Sequence, residues 1–196
     1  GWMMIRIAVV GEIGSGKTYV AKLFGFPTFN ADKEVSKIYK NNREVYKTLK
    51  KKLPKFIFSF PIKKEEIGNA VKNNLKNLKI ISKIVHPIVR QNMFKFLKNN
   101  NLKKAVVLDI PLYFENNLNK KSDVIIFISA KKKQINSALK KRDKSNLKLL
   151  KKIGKLQLPL KMKKKNSNYS ITNNFKSENL RNKVKILKYK ILNKWK

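Results

Sequence analysis

The sequence predicts an α/β fold in which a five-stranded parallel sheet is flanked by helices. Three observations support this prediction: apolar runs of strand length, helical segments between them, and a glycine-rich loop directly after the first run. Strands that alternate with helices form parallel sheets through right-handed crossovers. Both faces of such a sheet are covered, and this explains why its strands are apolar along nearly their whole length.

Individual elements follow from hydrophobic periodicity and from turn residues. The predicted strands are short segments, several of them rich in Ile, Val and Phe: residues 4–10, 28–30, 105–110, 123–128 and 169–172. Helices are expected from Lys17 to Phe24 and from Asp32 to about Tyr39, on either side of the turn at Gly25-Phe26-Pro27. The chain therefore begins with a βαβα pattern.

The middle of the chain is predicted to be mostly helical. From Arg43 to Lys98 no strand is required, and breaks are expected near Pro54 and Pro61. One apolar stripe at helical spacing is formed by Ile80, Ile81, Ile84, Val85 and Ile88. We interpret residues 56–98 as a helical insertion, and the lysine-rich residues from about 131 to 166 as a helical segment that could fold over a ligand.

Length and composition restrict the class of protein. With 196 residues, of which 42% are hydrophobic, the chain is expected to form one folded domain over residues 4–196. Residues 1–3, which begin with Gly1-Trp2, are interpreted as a cloning remnant and the start of the protein. No export leader and no membrane-spanning stretch are recognised, and cysteine is absent. We therefore expect a cytoplasmic protein without disulfides or thiolate metal sites. A monomer is also expected.

The formal net charge of +37 has two interpretations. It is typical of a surface that binds nucleic acid or an acidic membrane. However, only five of the 48 basic residues are arginine, and the lysines are accompanied by asparagine runs such as 99–101. Specific nucleic-acid readers favour arginine, whereas a Lys and Asn excess is what an AT-rich coding bias produces. We expect no specific nucleic-acid partner and only non-specific, salt-sensitive binding.

The glycine-rich loop has the spacing of a phosphate-binding P-loop. Gly11-x-x-x-x-Gly16-Lys17-Thr18 lies between a predicted strand and a predicted helix, which is the context this motif requires. Backbone N–H groups and the positive end of the helix dipole would hold phosphate oxygens. The expected ATP-binding residues are Glu12, Ile13, Gly14, Ser15, Gly16, Lys17 and Thr18. Lys17 is expected on the β- and γ-phosphates, and the Thr18 hydroxyl on Mg²⁺.

Further segments resemble the dephospho-CoA kinase family over nearly all of residues 4–196. These segments are Asn30-Ala31-Asp32, His86-Pro87-Ile88-Val89-Arg90, Asp109-Ile110-Pro111-Leu112-Tyr113-Phe114-Glu115, Arg142-Asp143, Gln157 and Ile171-Thr172-Asn173. The resemblance implies transfer of the ATP γ-phosphate to the 3′-hydroxyl of dephospho-CoA, the last step of coenzyme A biosynthesis. It also implies a P-loop kinase fold in which residues 56–98 are a helical acceptor-binding insertion and residues from about 131 to 166 are a lid. ATP and dephospho-CoA would be the partners and Mg²⁺ the cofactor.

The same resemblance assigns roles to single residues. Asp32 becomes the candidate base for the acceptor hydroxyl, with helix capping as the structural alternative. His86 and Arg90 would lie by the acceptor site and contact its phosphate or ribose. His86 is the only histidine, and a structural role on an amphipathic helix is its alternative.

The segment after the third strand would face the substrate. Asp109 is a candidate to hold a Mg²⁺-bound water, or alternatively to cap the next helix. The residues assigned to the acceptor pocket are Pro111, Leu112, Phe114 and Glu115, although Leu112 and Phe114, like Tyr113, are apolar enough to belong to the core.

Arg142 is the candidate lid cation that would neutralise the phosphoryl group during transfer. The chain departs from the family pattern at three positions. Asn30 replaces the first Asp of Asp-Ala-Asp, Ala138 stands where an arginine is frequent, and Asn168 stands where an Asp is usual. These departures concern lid strength and substrate affinity more than the reaction class.

Two alternative functions remain open from the sequence. Another P-loop kinase, of a nucleoside or nucleotide, shares the loop motif, and a non-enzymatic nucleic-acid-binding protein would use the lysine surface. The second alternative does not account for a complete P-loop.

Overall fold

A computed structural model describes residues 3–111, 113, 118–142 and 158–194, and the side chain of Arg142 lies outside this description. The chain divides into two compact units. The first unit comprises Gly1–Asn30 together with Asn99–Lys196, and the second comprises Ala31–Lys98.

The first unit contains the parallel sheet, which confirms the predicted fold class. Its strands are β1 (Ile5–Gly11), β2 (Thr28–Asn30), β3 (Ala105–Asp109), β4 (Val124–Ser129) and β5 (Tyr169–Thr172). They are arranged in the order β2-β3-β1-β4-β5, and every neighbouring pair is parallel. All five predicted strands form, and where their ends differ from the prediction they differ by one residue. Since the strands are parallel, their carboxyl ends meet at one edge of the sheet, which we call the carboxyl edge.

The helices of the described residues are α1 (Lys17–Leu23), α2 (Ala31–Asn41), α3 (Arg43–Lys52), α4 (Lys64–Asn73), α5 (Lys76–Asn99), α6 (Lys132–Arg142), α7 (Leu160–Lys165) and α8 (Ser177–Lys194). None of them is long and apolar enough to cross a membrane.

The core of the first unit lies between the sheet and its helices. Ile7, Val9 and Ile126 are fully buried on the strands, and they belong to one apolar cluster with Val20 of α1 and Leu180 of α8. Burial of such aliphatic side chains contributes about 1.5–3 kcal/mol each. This packing fixes α1, and therefore the loop that precedes it, on the sheet.

A buried ion pair stabilises the amino-terminal edge of the same sheet. The parallel register of β1 and β4 places Arg6 beside Asp123, and Arg6 Nε lies 3.1 Å from Asp123 Oδ1. The Asp123 carboxylate also accepts from the Tyr113 hydroxyl and, at 2.8 Å, from the Lys120 backbone N–H. Arg6 Nη2 donates to the Leu118 carbonyl at 3.2 Å. Each member of the pair therefore has a hydrogen-bond partner besides the other, while Arg6 Nε and Asp123 Oδ1 make only the ion-pair contact with each other.

The second unit is helical and contains α2, α3, α4 and nearly all of α5. The predicted breaks at Pro54 and Pro61 fall in the connection between α3 and α4. Of the apolar stripe on α5, Ile81 and Val85 are buried and the other members are partly buried. Asn92 of α5 donates to the Glu34 carboxylate of α2 at 3.2 Å. Residues 56–98, predicted as a helical insertion, lie within this unit, and their acceptor-binding role stays a prediction.

Candidate active site

The glycine-rich loop connects β1 to α1 at the carboxyl edge of the sheet. The Ser15 N–H donates to the Glu12 carbonyl at 3.1 Å, which closes a turn inside the loop. Gly16 caps α1 with φ 87°, a left-handed conformation that favours glycine. The strand, loop and helix thus occur in the order that the motif requires, and the first-turn N–H groups of α1 have no intrahelical acceptor. The loop can bind an anion at this point.

Gly11 is required by the close approach of β4. A Cβ at this position would collide with the backbone carbonyl oxygen of Ile128. The φ of Gly11 is 151°, which also disfavours a side chain. Glycine therefore allows the loop to leave the sheet directly beside the end of β4.

Lys17 is buried and lies across the loop. It is 9% exposed, and its Nζ donates to the Gly11 carbonyl at 3.0 Å. A carbonyl acceptor keeps the ammonium close to the loop, so its charge contributes to the potential that an incoming anion meets.

Thr18, Asp109 and Asn30 meet beside the loop. Thr18 Oγ1 donates to Asp109 Oδ2 at 2.8 Å, and Asn30 Nδ2 donates to the same oxygen at 3.0 Å. Asp109 ends β3, Asn30 ends β2, and the strand register pairs these two residues. Asp109 is only 3% exposed. The sheet and the start of α1 therefore bring a carboxylate, a hydroxyl and an amide to one point. The carboxylate and the hydroxyl carry oxygen atoms suited to Mg²⁺.

The remaining predicted residues of the first unit are placed as follows. Glu12 and Ile13 lie in the loop and are partly buried, and Pro111 follows β3 and is also partly buried. Leu112, Phe114 and Glu115 lie outside the described residues. Arg142 is the last residue of α6, and its side chain also lies outside the description.

Asp32, His86 and Arg90 belong to the second unit. Asp32 is exposed and is the second residue of α2, so it does not occupy the position before the helix that a capping residue takes. His86 is partly buried on α5, and Arg90 is exposed one turn later. Burial lowers the pKa of His86, and the charge of Arg90 lowers it further. The imidazole is therefore neutral at pH 7 and can both donate and accept a hydrogen bond.

The structure adds two residues to which the sequence alone assigned no role in the site. Asn30 donates a hydrogen bond to Asp109, whereas in the sequence it is only a departure from a family pattern. Asn173 donates through Nδ2 to the Ser15 carbonyl at 2.9 Å, from 158 positions away in the sequence. No local pattern could predict the second contact. Asn168, in contrast, is bonded to the backbone of Ile125 at 2.8 Å, at the amino-terminal edge of the sheet and away from the loop.

A family model and two similar relatives carry the same description. A family model described as dephospho-CoA kinase matches residues 5–179. A dephospho-CoA kinase of Fusobacterium nucleatum is 32% identical over 91% of this chain and 94% of its own length. One from Wolbachia sp. subsp. Brugia malayi is 30% identical with the same coverage of both chains.

Solved structures share the fold. A crystal structure from Thermus thermophilus has a TM-score of 0.76 at 23% identity and covers 96% of this chain and 98% of its own. A dephospho-CoA kinase from Campylobacter jejuni has a TM-score of 0.63 at 24% identity with the same coverage. A shikimate kinase from Acinetobacter baumannii has a TM-score of 0.54 at 16% identity, covering 98% of this chain and 96% of its own. At these identities the likeness concerns the fold alone.

Proposed function

The chain belongs to the dephospho-CoA kinase family, and from this premise we propose how its residues transfer the γ-phosphate of ATP to the 3′-hydroxyl of dephospho-CoA. The reaction forms a bond between the 3′-oxygen and the γ-phosphorus, and it breaks the bond from that phosphorus to the bridging oxygen of ADP. The base accepts the proton of the hydroxyl group. Phosphoryl transfer of this kind depends mainly on alignment and charge stabilisation.

The loop from Glu12 to Thr18 holds the ATP phosphates. Lys17 already lies across this loop, and its ammonium stabilises negative charge that moves toward the β-phosphate as the bond to ADP lengthens. Ser15 Oγ is fully buried and has no hydrogen-bond partner in the described part of the chain. A buried hydroxyl without a partner is unfavourable, and a phosphate oxygen would supply the missing acceptor.

Thr18 and Asp109 fit a magnesium ion. Both side chains offer hard oxygen atoms. The described residues contain no cluster of three or more His, Cys, Asp or Glu side chains that would form an all-protein metal site. This pattern suits Mg²⁺, which in kinases takes most of its ligands from phosphates and water. Thr18 would be a direct ligand, and Asp109 would hold a bound water. When present, the ion neutralises charge on the β- and γ-phosphates.

Asp32 is the base of the proposed mechanism. It accepts the proton of the 3′-hydroxyl and orients that oxygen toward the γ-phosphorus. Its position inside the first turn of α2 argues against a pure capping role, although a carboxylate there also favours the helix dipole. His86, Arg90, Pro111, Leu112, Phe114 and Glu115 are the proposed contacts to dephospho-CoA.

Arg142 belongs to the proposed lid over residues of about 131–166. A guanidinium at the end of α6 would stabilise the transferring phosphoryl group. Residues 143–157 of the proposed lid lie outside the described residues. We keep residues 56–98 as the proposed acceptor-binding region within a single domain of residues 4–196.

The observation that supports this function most directly is the bond between Thr18 and Asp109 next to the loop. It joins the P-loop hydroxyl to a carboxylate at the end of the neighbouring strand, where a kinase needs both.

The test is an acceptor panel. Purified protein with Mg²⁺-ATP should form ADP much faster when dephospho-CoA is added, and nucleosides or nucleotides should give only the background of water hydrolysis. The product should be coenzyme A, formed from dephospho-CoA by phosphorylation of its 3′-hydroxyl. A clear preference for a nucleoside would refute the acceptor assignment and leave the kinase assignment intact.

We also propose a cytoplasmic monomer without a specific nucleic-acid partner. The absence of cysteine is compatible with the cytoplasm, and the small arginine share argues against a specific nucleic-acid partner. DNA or RNA binding should be independent of sequence and should be lost as the salt concentration rises above physiological levels. Tight, sequence-dependent binding at high salt would contradict it.

A further inference from the structure

Asn173 is a buried side chain that joins the end of β5 to the phosphate loop. It is 1% exposed, and its backbone N–H donates to the Ser129 carbonyl of β4 at 2.7 Å. Its side-chain amide donates through Nδ2 to the Ser15 carbonyl at 2.9 Å, and its Oδ1 accepts from the Phe175 N–H at 2.8 Å. One side chain therefore links the loop to the segment that connects β5 and α8.

Contact between Asn173 and the loop is direct. A Cβ at Gly16 would collide with Asn173 Nδ2, so no side chain can stand between them. The φ of Gly16, 87°, also excludes most side chains. The absence of a side chain at Gly16 thus serves two purposes: it permits the conformation of the loop and the approach of this amide.

We propose that Asn173 is a positioning residue for nucleotide phosphates. The Ser15 carbonyl and the Gly16 N–H belong to one planar trans peptide, so they point in opposite directions. An amide that holds the Ser15 carbonyl toward Asn173 therefore aims the Gly16 N–H away from it, toward the anion that the loop binds. This inference rests on the proposed function only in placing phosphate at the loop, and it does not depend on the identity of the acceptor.

Two substitutions separate this role from simple packing. Asn173→Asp keeps the shape and the acceptor for Phe175, but a carboxylate cannot donate to the Ser15 carbonyl and repels it instead. Asn173→Ala removes the donor without adding charge. Asn174→Asp is the matched control. The Asn174 side chain accepts a hydrogen bond from the Lys176 N–H at 3.0 Å, and an aspartate can accept the same bond. Both aspartate variants add the same charge to adjacent positions.

The measurement is the Kd of Mg²⁺-ADP by titration calorimetry, together with the melting temperature of each protein without nucleotide. The loss of one neutral hydrogen bond predicts a Kd about 3- to 10-fold higher for Asn173→Ala, and roughly 30-fold higher for Asn173→Asp, where repulsion is added. Asn174→Asp should stay within about two-fold of the parent, and KM for dephospho-CoA should stay within about two-fold in all variants.

Several outcomes would overturn the proposal. A folded Asn173→Asp protein that binds ADP like the parent would refute it, as would an equal loss in Asn174→Asp. A lower melting temperature in Asn173→Ala with unchanged Kd would assign Asn173 a structural role only. If Asn173→Asp does not fold, Asn173→Ala is compared with Asn174→Ala instead. Equal Kd values for Mg²⁺-ADP in these two variants would then refute the proposal. Because ADP binding requires no acceptor, failure of dephospho-CoA as a substrate would leave this result intact.

Discussion

Replacing Asp109 with asparagine removes one negative charge and almost no volume from the carboxyl edge of the sheet. Asp109 is 3% exposed and accepts from Thr18 at 2.8 Å and from Asn30 at 3.0 Å. An asparagine oxygen can still accept both bonds, but it is neutral. The substitution therefore tests the charge of Asp109 while it keeps the shape of the site.

The expected loss follows from these two contacts. A hydrogen bond to a charged acceptor contributes about 1.5–3 kcal/mol and a neutral one about 0.5–1.5 kcal/mol, so two bonds together lose about 2 kcal/mol. If this loss is expressed in the transition state, kcat/KM for ATP falls about 30-fold. Because the same two bonds also stabilise the folded chain, the free energy of unfolding should fall by at most about 2 kcal/mol.

Asp123→Asn is the matched control at the opposite edge of the same sheet. Asp123 is equally buried, but it is paired with the Arg6 guanidinium at 3.1 Å. Removing one partner of a buried ion pair costs about 3–5 kcal/mol, which lowers Tm by about 6–20 °C in a protein of this size. The folded fraction should keep its kcat, because Asp123 precedes β4 and lies away from the loop.

The assay is ADP release at saturating dephospho-CoA with varied ATP, combined with thermal unfolding of both variants. We expect Asp109→Asn to lose activity and to lose less stability than Asp123→Asn, which should keep its kcat. Full activity of Asp109→Asn in a folded protein would refute the role of its charge. Unchanged stability of Asp123→Asn would refute the energetic argument for the buried pair.

Three further substitutions test single roles. Lys17→Ala should lower kcat at least ~100-fold, the usual effect of a preorganised charge contact, and near-normal turnover in a folded variant would mean that the loop does not hold the reacting phosphates. Asp32→Asn should lower kcat ~100-fold or more with Tm and ATP affinity nearly unchanged, whereas a loss of stability alone would leave Asp32 a helix-stabilising residue. The parent should lose stability as the pH falls from about 7 to 5, because His86 in the unfolded chain, with a pKa of about 6.5, binds its proton at a higher pH than in the folded chain. His86→Gln should make this loss smaller. Identical pH dependence of unfolding in the parent and in His86→Gln would contradict the lowered pKa.

The sheet and the loop could be predicted because their signals are local. The apolar run of β1 is followed directly by the glycine spacing and by the helix that starts at Lys17. The position of Asp109 could also be predicted, since it ends a strand and the carboxyl ends of parallel strands share one edge. Each of these inferences needed only neighbouring residues and a general rule of chain topology.

The contacts within the site could not be predicted, because they join distant positions. Thr18 and Asp109 are 91 residues apart, and Ser15 and Asn173 are 158 residues apart. Which side chain meets which depends on strand order, and the order β2-β3-β1-β4-β5 is not the order of the sequence. Local propensity contains no information on such pairs, so a side chain like Asn173 acquires its role only in the folded chain.

Asn30 shows how folding changes the interpretation of a sequence departure. The family pattern places a carboxylate at this position, and the register of β2 and β3 would set it directly opposite Asp109. Two charged oxygens at the observed separation of 3.0 Å would repel each other by about 1 kcal/mol in water and about 5 kcal/mol at an effective dielectric constant of about 20. The asparagine amide replaces this repulsion with a donated hydrogen bond and orients the Asp109 carboxylate. The carboxyl edge then carries one negative charge less, and we expect Mg²⁺ to depend correspondingly more on the phosphates of ATP than on protein carboxylates.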